Sequence, residues 1–186
     1  MATSGSSDFT PDVAEFIEEA FERCGLELRT SYDAVTARRS LNLLFADWAN
    51  RGLNRWTISQ DTVTIAAGTA SYNLDANTID ILSAVIRTDA GQSTQSDVQI
   101  DRISRDEFLN IPNKRSTGRP VQYYVDRSIT PVLKIWPTPE NNTDVLIYDC
   151  LTRIDDADTF TNTVEVPFRF YPCLAAGLAY YLSIKK

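Results

Sequence analysis

Residues 30–56 read TSYDAVTARRSLNLLFADWANRGLNRW, and this stretch decides the fold. Its apolar residues recur at three- and four-residue steps, which predicts a helix with one apolar face. Thr30 or Ser31 can accept a backbone N–H at the helix start, and Asp33 places negative charge in the first turn. Gly52 can adopt the left-handed conformation that ends a helix. The predicted core face comprises Ala34, Ala37, Leu41, Leu44, Phe45 and Trp48.

Four residues that follow the apolar stripe are candidates for contact with another protein. They carry cationic, amide and aromatic groups beyond the last core position, where a buried helix does not require them. We interpret these four residues as interface candidates: Arg51, Asn54, Arg55 and Trp56.

A shorter helix is expected before this one. Thr10 is a suitable N-cap, Pro11 suits the first helical position, and Gly25 stops the pattern. One face is apolar and the opposite face is acidic, through Glu15, Glu18, Glu19 and Glu22. Because the connection is short, residues 10–56 are predicted to form an antiparallel helical hairpin. Residues 1–9 lack any pattern and are predicted to be a mobile tail.

Between residues 57 and 166 the apolar period changes from helical to alternating, which predicts strands. Residues 104–107 (SRDE) fit a capping box, so one short helix is expected inside this region. The segments VQYYVD and VLKIW predict a hairpin, and the polar stretches 89–96 and 112–119 predict exposed loops. Arg115 and Arg119 in the second loop are further interface candidates.

Helical spacing returns in residues 167–186, where Tyr181, Lys185 and Lys186 are interface candidates. The pattern runs to the last residue, so we expect a natural segment beyond it. The predicted fold class is α+β: a helical bundle built from the N- and C-terminal helices, with an inserted antiparallel β-rich lobe.

Composition excludes several classes of protein. The chain has 186 residues, of which 43% are hydrophobic and 23% charged, as in soluble globular proteins. No apolar run is long enough to span a membrane. The net charge of −7 gives no general attraction for phosphate, so sequence-specific DNA binding is not expected. A protein that surrounds DNA without gripping it remains compatible with this charge.

The residues needed for common catalytic sites are missing. The chain has no histidine, which removes the commonest general base and metal ligand. Cys24, Cys150 and Cys173 have neither metal-ligand nor disulfide-framework spacing. Asp155, Asp156 and Asp158 do not have the spacing of the ligands in an EF-hand calcium loop. We therefore predict no catalytic, cofactor or metal site, and keep a cell-wall-degrading glycosidase as the alternative, which needs two carboxyl groups in a cleft.

Several segments, taken in order, resemble one protein family. They are LNLLFADWANRGLNRW, GTASYNL, ISRDEFLNIPNKRSTGRPVQYYVDR, LKIWPTPENN and VPFRFYPCLAAGLAYYLSIKK, and together they extend along nearly the whole chain. They resemble the head-to-tail adaptor proteins of short-tailed bacteriophages, also called tail accessory or packaged-DNA stabilisation proteins.

The resemblance implies a structural role in the virion. Such adaptors form a ring, commonly of twelve copies, beneath the portal protein; they extend the DNA channel, retain packaged double-stranded DNA and dock the tail hub or nozzle protein. The expected location is the head–tail interface, after synthesis in the host bacterial cytoplasm. Arg51, Arg55, Arg115 and Arg119 are then expected to face acidic surfaces on neighbours, and loops 89–96 and 112–119 to become ordered on assembly.

Overall fold

The computed structural model describes residues 4–185 and confirms the α+β class. The described chain forms two compact units: a helical unit, residues up to Trp56 and from Ile154 on, and a strand unit, Thr57–Arg153. The helices are α1 (Val13–Arg23), α2 (Ser31–Asn50), α3 (Arg105–Asn110) and α4 (Tyr171–Ser183); 3₁₀ turns cover Arg55–Thr57 and Phe168–Phe170; the strands are β1 (Ile58–Thr64), β2 (Ser71–Asn73), β3 (Thr78–Thr88), β4 (Ser96–Gln99), β5 (Asp101–Arg102), β6 (Gln122–Asp126), β7 (Val132–Trp136) and β8 (Val145–Thr152).

The helical unit holds α1, α2 and α4 around one apolar core, and α4 contacts both other helices. The approach of α2 to α4 is close at Gly177, where a Cβ atom would lie 3.0 Å from Leu44 Cδ2. The predicted core stripe of α2 is largely confirmed, since five of its six residues are buried and Ala34 is half-buried. Thr30 is the N-cap of α2, and Gly52 has a φ of 67° at its end, as the sequence predicts.

The start of α1 differs from the prediction. The N-cap is Asp12 rather than Thr10, and Pro11 lies before the cap instead of in the first turn. The Asp12 carboxylate accepts the Glu15 N–H at 2.9 Å, and Glu15 Oε2 accepts the Asp12 N–H at 3.0 Å. This reciprocal capping box satisfies two backbone donors, which a threonine followed by proline does not achieve.

Residues 154–166, which the sequence analysis assigned to the lobe, belong to the helical unit. The carbonyls of Asn162 and Phe160 accept the N–H groups of Val13 and Ala14, each at 3.0 Å. These bonds satisfy donors that the first turn of any helix leaves without an intrahelical partner. Three side chains of this segment also join the helical core: Ile154, Ala157 and Val166.

The strand unit consists of two four-stranded sheets, ordered β1-β8-β3-β4 and β2-β7-β6-β5. The predicted hairpin is confirmed as the antiparallel pair β6–β7, whereas β5 and β6 pair in parallel. Side chains from both sheets, such as Ile81 and Leu133, belong to one buried cluster, so the sheets share a core. The Ser104 capping box is confirmed and opens α3.

The strand unit begins and ends with neighbouring chain segments. Ile58 pairs with Leu151 in the register of β1 and β8. Thr57 Oγ1 donates to the Thr152 carbonyl at 2.6 Å, and Thr152 Oγ1 donates to the Thr57 carbonyl at 3.0 Å. The two ends of the unit are therefore held together by the unit's own hydrogen bonds.

Residues 4–9 are exposed and have no regular secondary structure. Phe9 reaches the ring of Tyr171, with centroids 6.4 Å apart. The prediction of a mobile tail also covers residues 1–3, which lie outside the described residues, as does Lys186.

Candidate functional site

Helix α4 contains no charged residue, yet one of its faces is uncovered. Tyr180 is 64% exposed and Ile184, directly after the helix, is 68% exposed. Cys173 and Ala176 are exposed at the same helical spacing, so these four residues form one stripe, here called the α4 outer face. A helix that is apolar all round is typical of a segment that is buried on every side.

Helix α2 also has a second apolar stripe, opposite its core stripe. Tyr32 is 74% exposed, Val35 39% and Leu43 53%, with Arg39 between the last two on the same face. We call Tyr32, Val35, Arg39 and Leu43 the α2 outer face. Because a surface helix needs only one apolar stripe to join its own core, this second stripe is available to another protein.

The two outer faces lie on different helices of one unit and have different compositions. A contact between two different faces of identical subunits is heterologous, and it closes into a ring when the rotation between subunits allows. The helical unit thus has two distinct uncovered surfaces.

The four candidates after α2 occupy different environments. Arg51 is exposed and pairs with Asp47, with Nε 3.0 Å from Oδ2; Arg55 is exposed. Trp56 is half-buried, and its indole N–H donates to the Glu165 carbonyl at 2.8 Å. The Asn54 side chain is fully buried, so it is not accessible to a neighbour in this conformation.

The remaining candidates divide in a similar way. Arg115 and Arg119 are exposed in the loop that follows α3. Tyr181 is half-buried against the helical core, whereas its neighbour Tyr180 faces solvent. Lys185 is exposed but its Nζ donates to Ser40 Oγ at 2.5 Å, which fixes it on α2. Lys186 lies outside the described residues.

A basic and aromatic surface around α3 in the strand unit was not predicted from the sequence. Two adjoining grooves of about 520 Å³ and 310 Å³ share Arg105, Tyr124 and Asp126 in their walls. The ring of Phe108 stacks on that of Tyr124, with centroids 5.5 Å apart. We call the following set the α3 surface: Arg102, Arg105, Phe108, Lys114, Tyr124, Arg127 and Lys134. Its residues come from β5, α3, the loop that follows α3, β6 with the turn after it, and β7, so no local motif indicates it.

An ion-paired carboxylate holds two of these arginines in place. Asp80 Oδ1 lies 2.8 Å from Arg102 Nη2, and Asp80 Oδ2 lies 2.5 Å from Arg127 Nη2. Burial acts to raise the pKa of Asp80, but the hydrogen bonds and charges of Arg102 and Arg127 outweigh it, so the pKa lies below its usual value. Since Asp80 is on β3 and Arg102 on β5, this triad also connects the two sheets.

The alternative of a glycosidase requires a cleft with two carboxyl groups, one of them a proton donor. A cleft of about 720 Å³ in the helical unit is lined by four carboxylates, Asp155, Asp156, Asp158 and Glu165. All four residues are exposed to solvent, so none of them is a buried carboxyl group.

No cluster of three or more potential metal-ligating side chains occurs within residues 4–185. Within the same range, every helix is too short or too polar to cross a bilayer.

The fold and its uncovered faces define a class: a two-unit α+β protein whose free surfaces suit contact with other protein chains. Residues 11–185 match the family model described as SU10 adaptor protein, and the chain belongs to that family. It is therefore a bacteriophage structural adaptor, a component of the virion that associates with portal and tail proteins. No curated protein matches the chain.

Proposed function

We propose that this adaptor assembles as a ring of about twelve copies beneath the portal protein, as adaptor rings commonly do. The ring extends the DNA channel, retains the packaged genome and docks the tail hub or nozzle protein. Membership in the adaptor family supports this role. The observation that carries it in this chain is the pair of uncovered apolar faces on α2 and α4.

In the proposed ring, the α2 outer face of one copy packs on the α4 outer face of the next. The helical unit is then the bundle that forms the ring wall, and the strand unit is the inserted lobe. Leu43, Val35 and Tyr180 together lose apolar area from water in this contact, at about 25 cal/mol per Å² buried. The candidate for the C-terminal contact is consequently Tyr180 rather than Tyr181.

The net charge of the chain is compatible with a channel through which DNA slides. The chain has a net charge of −7, so twelve copies repel the phosphate backbone more than they attract it. DNA passes without sequence-specific contact, and the protein joins the virion after synthesis in the host bacterial cytoplasm.

Electron microscopy of the full chain, mixed with the portal ring of the same phage, tests the assembly. The expected result is an added ring below the portal in particle averages. Portal particles that remain unchanged at micromolar adaptor concentrations would contradict the proposal.

A pair of leucine substitutions tests the contact. Leu43→Glu places a charge in the α2 outer face, and is expected to raise the concentration needed for half-assembly at least about tenfold, because a charge is then desolvated in an apolar contact. Leu82→Glu is the matched control, since Leu82 is 44% exposed on β3 and Leu43 53% exposed on α2. Equal assembly of both variants would exclude this face.

The proposal also expects no turnover. Purified, dye-labelled cell wall incubated with the protein should release no more soluble dye than buffer alone. Release that disappears in Asp156→Asn would instead support the glycosidase.

A further inference from the structure

We propose that the α3 surface is a docking site for the acidic face of α1 on a second copy of this chain. The inference rests on the proposed ring, and it adds a contact between strand unit and helical unit of neighbouring subunits. It follows from charge, from the rigidity of the surface and from the unpaired carboxylates of α1.

The α3 surface is cationic in an acidic protein. Its two grooves bring together five cationic side chains, Arg102, Arg105, Lys114, Arg127 and Lys134. The carboxylates beside them are Asp80, Asp106 and Asp126, and Glu107 is turned toward the helix start, where its Oε2 accepts the Ser104 N–H at 2.7 Å. A local excess of positive charge in a chain of net charge −7 attracts an acidic partner and orients its approach.

Several of these cations are held in fixed positions. Lys114 Nζ donates to the carbonyls of Leu109 and Ile111 at 2.8 and 3.1 Å, and lies 5.8 Å from the Phe108 ring centre. Lys134 Nζ lies 3.0 Å from Asp126 Oδ2 and 5.8 Å from the Tyr124 ring centre. A partner that binds them loses little side-chain entropy at this surface, because the side chains are already ordered.

Two exposed side chains, one that lines both grooves and one beside the second groove, are free to meet a partner. Arg105 lines both grooves and makes no hydrogen bond or ion pair within residues 4–185. Leu109 is 70% exposed beside the second groove. Together they offer one charge-assisted hydrogen-bonding group and one apolar contact.

Helix α1 offers the complementary carboxylates. Glu15 is engaged in its capping box and Glu19 pairs with Arg23 at 2.7 Å. Glu18 and Glu22 are exposed, and their carboxylates have no partner within residues 4–185. Because they are four residues apart, they project from the same side of the helix, with their Cβ atoms about 6 Å apart. This pair matches the positive side chains that line the two adjoining grooves.

A charge-reversal cycle tests the docking in the full chain, by sedimentation velocity with and without the portal ring. Arg105→Glu and Glu18→Arg are each expected to raise the concentration for half-assembly at least about tenfold. Combining both substitutions in one chain should restore at least half of that loss, because the pair is reversed rather than removed. Both variants keep helix-compatible residues, and circular dichroism verifies that each is folded.

The control and the alternative partner are measured alongside. Arg29→Glu makes the same change of charge in the exposed connection before α2 and should assemble as the unaltered chain does. Normal assembly of Arg105→Glu, or no recovery in the double variant, would overturn the inference and leave the ring intact. An unaltered chain that never assembles, even on the portal, would overturn both proposals. Binding of a 20-base-pair DNA duplex that Arg105→Glu abolishes, with assembly unchanged, would assign the surface to nucleic acid and overturn the inference.

Discussion

At Gly177, α4 approaches α2 so closely that a side chain would require adjustment of its neighbours. A Cβ atom there would lie 3.0 and 3.2 Å from the two terminal carbons of Leu44. Alanine favours a helix over glycine by about 1 kcal/mol, but overpacking a core costs about 1–3 kcal/mol. Leu44 is 3% exposed and has little room to move, so the overpacking cost outweighs the gain.

We therefore expect Gly177→Ala to lower the free energy of unfolding by about 1 kcal/mol. The sign should reverse in a Leu44→Ala background, where the space is free and only the helix preference of about 1 kcal/mol remains. Urea unfolding followed by circular dichroism measures both. Additive effects of the two substitutions would show that Leu44 is not the obstacle.

Asp80 has a pH-dependent effect on the free energy of unfolding, and the sign of this effect follows from its pKa. Its pKa in the folded chain lies below the ordinary value of 3.8, because Arg102 and Arg127 stabilise the ionised form. A depressed pKa contributes stability that is complete above the ordinary pKa and lost as pH falls through the folded one. The contribution is thus present at neutral pH and absent in strong acid.

Asp80→Asn should lower the free energy of unfolding at pH 7 by about 1–2 kcal/mol, since the four charge-assisted hydrogen bonds from Arg102 and Arg127 lose their ionised acceptor. The difference from the unaltered chain should shrink as pH falls below the ordinary pKa of 3.8 and be lost as pH falls through the lower pKa of the folded chain. Thermal unfolding at a series of pH values measures this difference, with Asp101→Asn, an exposed position on β5, as control. A difference that persists in acid would refute the ionic contribution.

At the scale of elements, the loops at residues 89–96 and 112–119 were expected from polarity alone. A hydrogen bond constrains each loop. Within the first, Thr94 Oγ1 donates to Asp89 Oδ2 at 2.9 Å; the second is tied to β7, where the Trp136 indole N–H donates to the Asn113 carbonyl at 3.0 Å. The second loop also carries Lys114 of the α3 surface. Loop 112–119 should therefore become more ordered when a partner covers the α3 surface.

Hydrogen exchange on free and portal-bound protein is expected to slow at least about tenfold in loop 112–119, because assembly removes local opening. Loop 89–96 should slow as well if it contacts a neighbour. Equally fast exchange in both states would rule out ordering on assembly. Buried amides of β8 provide the reference, since they belong to a strand paired on both sides.

The identity of most elements was predictable, whereas their pairing was not. Alternation in β6 and β7 and the short connection between them predict a hairpin, which the structure confirms. The same alternation gives no information on which distant strand lies beside β8, because a period of two sets the face and not the partner. The α3 surface was missed because β5, which carries Arg102, lies beside β6 through a parallel pairing that the alternating pattern does not specify. The outer face of α2 was overlooked because Tyr32, Val35 and Leu43 follow the same helical period as its core stripe.

At the scale of the whole molecule, the strand unit has its own core and paired ends. A unit with these properties is expected to fold as an isolated fragment. Residues 57–153 alone should show a β-type circular dichroism spectrum and one cooperative urea transition detected by Trp136 fluorescence. As a comparison, Ile81→Ala should lower the midpoint by removing about 2–5 kcal/mol of core packing. A fragment without a cooperative transition would contradict autonomy.

Cys173 gives the molecule a natural reporter of its own association. Its thiol is exposed on α4, while Cys150 is buried and the Cys24 Sγ donates to the Ala179 carbonyl. Alkylation of the native protein by a maleimide should therefore modify this one thiol first. The rate constant of that modification then measures the fraction of subunits whose α4 side is still uncovered, in solution and without any engineered label.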